Sequence, residues 1–175
     1  MFKHTISELK EAMVCLEAGQ VTLGYPFVPH APDANFRGKV KVDTRKCMGC
    51  GACANACPSR LIVVTDNQNE RNFLFELGRC TYCAACRDAC PQEAIALTSL
   101  FELATPDTND LRFHMTFRLA RCIECGAPIN TERVVDVARE RLLREGGEHA
   151  WLDACPSCRR KAAAQARNHR MEAVA

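Results

Sequence analysis

Cys47-Met48-Gly49-Cys50-Gly51-Ala52-Cys53-Ala54-Asn55-Ala56-Cys57-Pro58 and Cys80-Thr81-Tyr82-Cys83-Ala84-Ala85-Cys86-Arg87-Asp88-Ala89-Cys90-Pro91 are two copies of one pattern, C-x2-C-x2-C-x3-C-P. A short apolar run follows each copy, Leu61-Ile62-Val63-Val64 after the first and Ala94-Ile95-Ala96-Leu97 after the second. Between them, Phe73-Leu74-Phe75 reads as a further short strand beyond the polar turn Asp66-Asn67-Gln68-Asn69. Such a repeat folds as two similar halves related by an approximate two-fold axis.

Thirteen cysteines in 175 residues is far above ordinary usage, and either a disulfide framework or metal sites could account for it. Twelve of the thirteen sit at two- or three-residue separations, which favours shared metals over pairing across a loop. The odd total would also leave one thiol unpaired. Residues 1–20 contain Glu8, Glu11 and Glu17 and no continuous apolar stretch, so no secretory signal is read there. Reduced thiols in the cytoplasm are therefore expected.

The spacing has a physical consequence. Three thiolates two residues apart wrap a tight loop round one [4Fe–4S] cubane, while the fourth, displaced by the turn before proline, reaches the cluster of the other half, as in bacterial ferredoxins. Cys47, Cys50, Cys53 and Cys90 are expected to hold one cluster, and Cys80, Cys83, Cys86 and Cys57 the other. The small residues Gly49, Gly51, Ala52, Ala54, Ala84 and Ala85 would let backbone N–H groups approach the sulfurs and help set the potentials. Paired zinc sites would need other spacings. No ligand is missing from either copy, so neither half reads as a three-iron site.

With every thiolate of the two runs committed, no iron keeps an open position. His4, His30, His114, His149 and His169 are scattered, without a nucleophile–base or paired-carboxylate arrangement, and read as surface or packing residues. No glycine-rich nucleotide fingerprint occurs either. The expected function is electron transfer rather than catalysis. The expected fold is α+β: a compact ferredoxin core, residues 43–100, with two short two-stranded sheets and helices over the clusters, flanked by extensions.

The N-terminal extension covers residues 1–42. Phe2, Ile6, Leu9, Met13 and Leu16 recur at helical spacing and form one apolar face, with Gly19 as a stop. Cys15, within this helix, is expected to behave as a small buried hydrophobe and is given no role. Residues 21–42, with Pro26, Pro29, Pro32 and Gly38, read as an extended arm, because proline bars helix and discourages a central strand.

The C-terminal extension covers residues 111–175. Phe113, Met115 and Phe117 alternate with polar residues and predict a strand. A helix is predicted from Thr131 to about Glu145, with Asn130 as N-cap and Gly146-Gly147 as stop. Cys122-x2-Cys125 and Cys155-x2-Cys158 flank this helix. Two such knuckles brought together give tetrahedral S4 coordination for one Zn2+ or one iron ion. Both resemble rubredoxin knuckles, although Arg159 stands where rubredoxin has glycine. Arg159, Arg160, Lys161, Arg167 and Arg170 make the tail basic. A solvated helical tail explains this charge, and a docking patch for an acidic partner is the other reading.

A formal charge of +2 carries no strong nucleic-acid footprint. No apolar run approaches the roughly 18 residues that a membrane span requires.

Val21-Thr22-Leu23-Gly24-Tyr25-Pro26, then Asn35-Phe36-Arg37-Gly38, then the two cysteine runs resemble the ferredoxin-type subunit of respiratory complex I and its hydrogenase relatives. The C-terminal four-cysteine segment departs from the complex I subunit. It resembles instead the iron–sulfur subunit of formate hydrogenlyase, also called hydrogenase-4 component H. The resemblance implies a peripheral subunit on the cytoplasmic face of the inner membrane. It would relay electrons between an electron-input subunit and the large and small subunits of a [NiFe] hydrogenase, with the N-terminal helix on a membrane subunit, the lipid surface or a soluble neighbour. Two other readings stand beside it: a complex I subunit delivering to quinone, and a redox-sensing, metal-built interaction module.

Overall fold

The computed structural model describes residues 2–147 and 150–172, with side chains from 6 to 167 among them. The side chains of Phe2, His4, His169 and Arg170, and all of His149, lie outside the described residues. The chain divides into two compact units, Met1–Ala34 and Asn35–Ala175.

In the first unit, helix α1 spans Phe2–Ala18 and ends before Gly19, the predicted stop. Ile6, Leu9, Met13 and Leu16 are all exposed, so the apolar face is uncovered along its described length. Cys15 is exposed as well, not the buried hydrophobe expected of it, because its turn of the helix has no neighbour packed over it. Beyond α1, the N–H of Val28 donates to the Gly24 carbonyl at 2.9 Å and closes one turn of the proline-rich arm.

The second unit is built on the cysteine repeat. Strand β1 (Val40–Val42) leads into the first run, helix α2 (Ala52–Ala56) closes that run, and β2 (Ile62–Asp66) and β3 (Glu70–Glu76) form a hairpin. The second run follows with helix α3 (Ala85–Asp88) and strand β4 (Ile95–Leu97). β1 pairs antiparallel with β4, Val40 opposite Leu97 and Val42 opposite Ile95, and β2 pairs antiparallel with β3, Ile62 opposite Phe75. Each half of the repeat thus contributes one strand to the pair that joins the termini of the core.

The expected pair of two-stranded sheets holds only for β1–β4. The second sheet has four strands in the order β2-β3-β5-β6, because β5 (Arg112–Arg121) pairs along all of β3 and β6 (Pro128–Thr131) pairs with β5. The alternation seen in the sequence sets the face. Met115, Phe117 and Leu119 are buried, while His114, Thr116 and Arg118 point to solvent. Without β5, the edge of β3 would expose an unpaired ladder beside Phe73 and Phe75.

The main core is Leu61, Ile62, Phe73, Phe75, Met115 and Phe117, packed against Cys47, Cys53, Cys57, Cys80 and Cys86. The Phe73 and Phe117 rings meet edge-on at 5.6 Å, and those of Phe75 and Phe113 stack at 4.3 Å. A second cluster, Val40, Leu77 and Ile95, packs on Cys53, Cys80 and Cys86 of these and on Cys90. The buried face of the sheet is therefore the wall against which the cysteine loops lie.

Helix α4 spans Glu132–Arg144, and its N-cap is Thr131, not Asn130. The Thr131 hydroxyl accepts from the Val134 N–H, while the Asn130 side chain accepts from the N–H of Thr131 itself. Both residue types cap well; the choice falls to Thr131 because its side chain is fully buried and also bonded elsewhere. At the other end, Gly147 N–H reaches the Leu142 carbonyl and Gly146 N–H the Leu143 carbonyl, a Schellman stop. A 3-10 turn at Ala150–Asp153 leads to the second knuckle, and α5 (Pro156–Glu172) carries the basic tail.

Candidate metal centres

All thirteen cysteines carry free thiols. Twelve of them fall into three groups of four. Cys47, Cys50, Cys53 and Cys90 line one cavity, together with Val42, Phe73, Ile95 and Met115. Cys57, Cys80, Cys83 and Cys86 line another, with Val40, Leu61, Phe75 and Leu77. Each cavity takes three cysteines from one run and the last cysteine of the other run. The helices α2 and α3 turn the chain after the third cysteine, and the fourth is delivered across to the opposite half.

The loops achieve this with backbone geometry repeated in both copies. Gly49 and Gly51 have φ of 73° and 83°; their counterparts Tyr82 and Ala84 have 52° and 68°. Arg60 and Glu93, three residues beyond the last cysteine of each run, match at 49° and 47°. The left-handed conformation is thus demanded by the wrapping of the loop and not by the residue type, since none of the four side-chain-bearing examples, Arg60, Tyr82, Ala84 and Glu93, has a local preference for it. One result is directed N–H groups. Tyr82 N–H lies 3.4 Å from Cys80 Sγ, Gly49 N–H serves Cys47 in the same way, and Ala94 N–H is 3.3 Å from Cys90 Sγ.

Electrostatics within each group follow from crowding. Burial pushes the Cys53 thiol up to about 12, and the neighbouring charges of Cys47, Cys50 and Cys86 add to it. Burial also raises Cys47, on which Cys90 and Cys50 act, and Cys80, on which Cys57 and Cys83 act. Cys86 is raised by burial and by Cys80, Cys57 and Cys83. For Cys57, burial is outweighed by the Ser59 hydroxyl and the N–H groups of Leu61, Ser59 and Arg60, so its thiol lies below the usual range. Four thiols held this close ionise together only around a cation, so the donor sets suit a metal–sulfide core. The action of Cys86 on Cys53 marks where the two groups adjoin.

The third group is Cys122, Cys125, Cys155 and Cys158, whose sulfurs all lie within 4.8 Å of one another. Cys122 and Cys125 occupy the turn joining β5 to β6, where Gly126 N–H donates to the Cys122 carbonyl at 2.9 Å. The second knuckle is tied to the first by Ile123 N–H to the Asp153 carbonyl at 2.9 Å and by Cys155 N–H to Cys122 Sγ at 3.2 Å. Cys125 Sγ and Cys155 Sγ are 3.7 Å apart. The edge of an S4 tetrahedron built on metal–sulfur bonds of about 2.3 Å is about 3.8 Å, so the set fits a single tetrahedral ion. The N–H of Cys155 lowers Cys122 to about 6, and that of Cys158 lowers Cys155. Cys158 goes the other way, to about 12, because Cys155 and Cys125 face it.

Arg159, the departure from the rubredoxin pattern, braces this knuckle. Its Nε donates to the Ala154 carbonyl at 2.7 Å and its guanidinium lies 4.7 Å from the centre of the Trp151 ring. Arg139 of α4 binds Asp153 at 2.7 Å and Asp136 at 2.9 Å, which holds the helix to the segment before Cys155.

Sequence reasoning did not find the residues that join this segment to the first cysteine loop. Thr131 Oγ1 donates to the Met48 carbonyl at 2.5 Å. Arg133 donates to the carbonyls of Thr44 at 2.6 Å and Cys47 at 2.8 Å, with its guanidinium 5.6 Å from the Phe117 ring centre. Arg71 of β3 binds Asp66 at 2.7 Å, Asn130 at 2.9 Å and the Gly49 carbonyl at 3.3 Å. The one signal available was the pairing of a capping threonine with a nearby arginine at a helix start. It points to a helix end and names no target. Among the described histidines, His30 and His114 lie in none of the three groups.

The 4Fe-4S dicluster domain family matches residues 46–94. The chain is 40% identical over 153 residues to formate hydrogenlyase subunit 6 of Escherichia coli (strain K12), covering 83% of this chain and 85% of that protein. It is 37% identical over 118 residues to NAD(P)H-quinone oxidoreductase subunit I of Prochlorococcus marinus (strain AS9601), covering 63% of this chain and 57% of that one. The chloroplastic NAD(P)H-quinone oxidoreductase subunit I of Citrus sinensis is 43% identical over 101 residues, 54% of this chain and 60% of that protein. Among solved structures, a chain of the archaeal membrane-bound sulfane sulfur reductase is 28% identical, with a TM-score of 0.43 over 55% of this chain and 53% of that one.

Proposed function

The chain belongs to the formate hydrogenlyase subunit 6 family, and from that membership we propose that it is the iron–sulfur relay subunit of a membrane-bound, formate hydrogenlyase-type [NiFe] hydrogenase. The observation that carries this reading is the pair of cavities, each lined by three cysteines of one run and the last cysteine of the other. Cys47, Cys50, Cys53 and Cys90 would hold one [4Fe–4S] cluster, and Cys80, Cys83, Cys86 and Cys57 the other. Clusters of this kind supply one-electron carriers without an open coordination position.

The chain's own residues do three things for such carriers. The thiolates fix them, with Cys53 and Cys86 at the junction of the two groups. The N–H groups of Gly49, Tyr82 and Ala94 offset charge on the sulfurs. Phe73, Phe75, Met115 and Leu77 keep water from the inner walls. The chain is read as a carrier with no catalytic centre of its own.

Cys122, Cys125, Cys155 and Cys158 would hold one mononuclear Zn2+ or iron ion that ties β5, β6 and α4 to the second knuckle. The partners are other subunits of the complex, an electron-input subunit and the hydrogenase large and small subunits, with attachment at the cytoplasmic face of the membrane. The complex I reading draws on relatives that match 63% of this chain or less. The C-terminal four-cysteine group favours the hydrogenase reading over it.

Two experiments test this. Electron paramagnetic resonance on Cys47→Ser and on Cys90→Ser is expected to show loss of the same cluster, and loss of different clusters would overturn the crossed assignment. An anaerobic pull-down from native membranes is expected to bring down stoichiometric nickel. Flavin and quinone-reducing subunits without nickel would instead make the chain a complex I subunit.

A further inference from the structure

We propose that Arg133 and Thr131, carried by the C-terminal segment, are positioning residues that clamp the Thr44–Gly49 backbone and give the first cluster a potential distinct from that of the second. The inference rests on the relay reading, in which Cys47, Cys50, Cys53 and Cys90 hold a cluster.

The two halves of the core are near-copies, with matched spacing, matched helices and matched left-handed residues. Their surroundings are not matched. In the first loop Met48 and Cys50 are half-buried and Gly49 is buried. In the second, Thr81 and Cys83, the counterparts of Met48 and Cys50, are exposed. The difference is the C-terminal segment. A Cβ built on Gly49 would meet the Phe117 ring at 2.8 Å and Thr131 Cγ2 at 3.0 Å, so β5 and the start of α4 lie directly against that loop.

Contact is reinforced by directed bonds. Met48 accepts from Thr131, while Thr44 and Cys47 both accept from one nitrogen of Arg133. Those acceptors are main-chain carbonyls of the loop that holds the cluster, so the bonds fix where its N–H groups and sulfurs sit. Among the described residues, no side chain from the C-terminal segment hydrogen-bonds to Cys80–Cys83.

Net charge, hydrogen bonding and solvent exposure are the variables that set the potential of a cluster at fixed ligation. The last two differ between the halves, and Arg133 sets a cation against the first loop. A fixed cation beside the first loop favours the reduced, more negative state of the nearer cluster, so removing it lowers that potential. Arg133 is exposed and lies outside the buried core, so a methionine there keeps an apolar stem over the Phe117 ring while removing the charge and the two bonds.

The test is a redox titration of the purified, fully loaded protein followed by electron paramagnetic resonance, with the first cluster's signal identified by its absence in Cys47→Ser. Arg133→Met is expected to lower the first cluster's midpoint by the equivalent of about tenfold in its reduction equilibrium, 59 mV for a one-electron couple. The second cluster should not move, and Arg133→Lys should restore most of the shift. No shift, an equal shift of both clusters, or a lysine variant as displaced as the methionine one would overturn the inference. Fewer than two cluster signals in the unmodified protein would instead sink the relay reading and this inference with it.

Discussion

At the scale of single residues, the cysteine loops separate two costs that glycine can carry. Gly51 has φ of 83° and open space where a Cβ would stand. Its alanine variant therefore meets only the backbone penalty, about 1–2 kcal/mol. Its counterpart Ala84 already tolerates the same conformation in the second copy, at φ of 68°. Gly49 has both the positive φ and no room, with Phe117 at 2.8 Å. Gly49→Ala must push β5 away as well, which adds an overpacking cost of about 1–3 kcal/mol. Thermal unfolding of the loaded protein should rank the two, with Gly49→Ala clearly the less stable and its first cluster the more easily lost. Equal destabilisation would mean that β5 does not press on the loop.

Elements show how much was legible beforehand. The cysteine spacing reads as two four-cysteine groups, because ligand geometry is written in consecutive residues, and the same cysteines line the two cavities of the core. The strand at Met115 was legible from alternation, and the stop at Gly146-Gly147 from composition. What alternation does not carry is the partner. Nothing in Arg112–Arg121 says that it pairs with β3, and so the four-stranded sheet was missed. The cap moved from Asn130 to Thr131 for a similar reason: the deciding contact, Met48, lies 83 residues away.

The knuckle turn is the element whose chemistry depends most on pH. Cys158 is raised to about 12 by Cys155 and Cys125, so near neutrality it holds a proton in the metal-free site. A bound ion must displace that proton, and affinity therefore rises with pH, by about tenfold per unit for each proton released. Competition with a chelator between about pH 6 and pH 8 should show the ion held more tightly at the higher value. A flat profile would mean that all four thiols are already ionised without metal.

Across the whole molecule, two features of different kinds bear on assembly. Among the described residues no helix is long and apolar enough to cross a membrane. Yet α1, in a compact unit of its own, leaves Leu9 66% and Met13 60% exposed on one face. Apolar area left in water forgoes about 25 cal/mol per Å2, and a continuous stripe of it is a surface made for covering. In the proposed complex the cover is a neighbouring subunit, which would make α1 the peripheral anchor and leave the cysteine repeat free of that task. Leu9→Glu with Met13→Glu then separates the two roles. The double variant should leave the membrane fraction on mild washing while keeping its full complement of iron and both cluster signals. Retention on the membrane would move the anchor to the core or the basic tail. Loss of the clusters together with attachment would mean that the repeat depends on the anchor for its integrity.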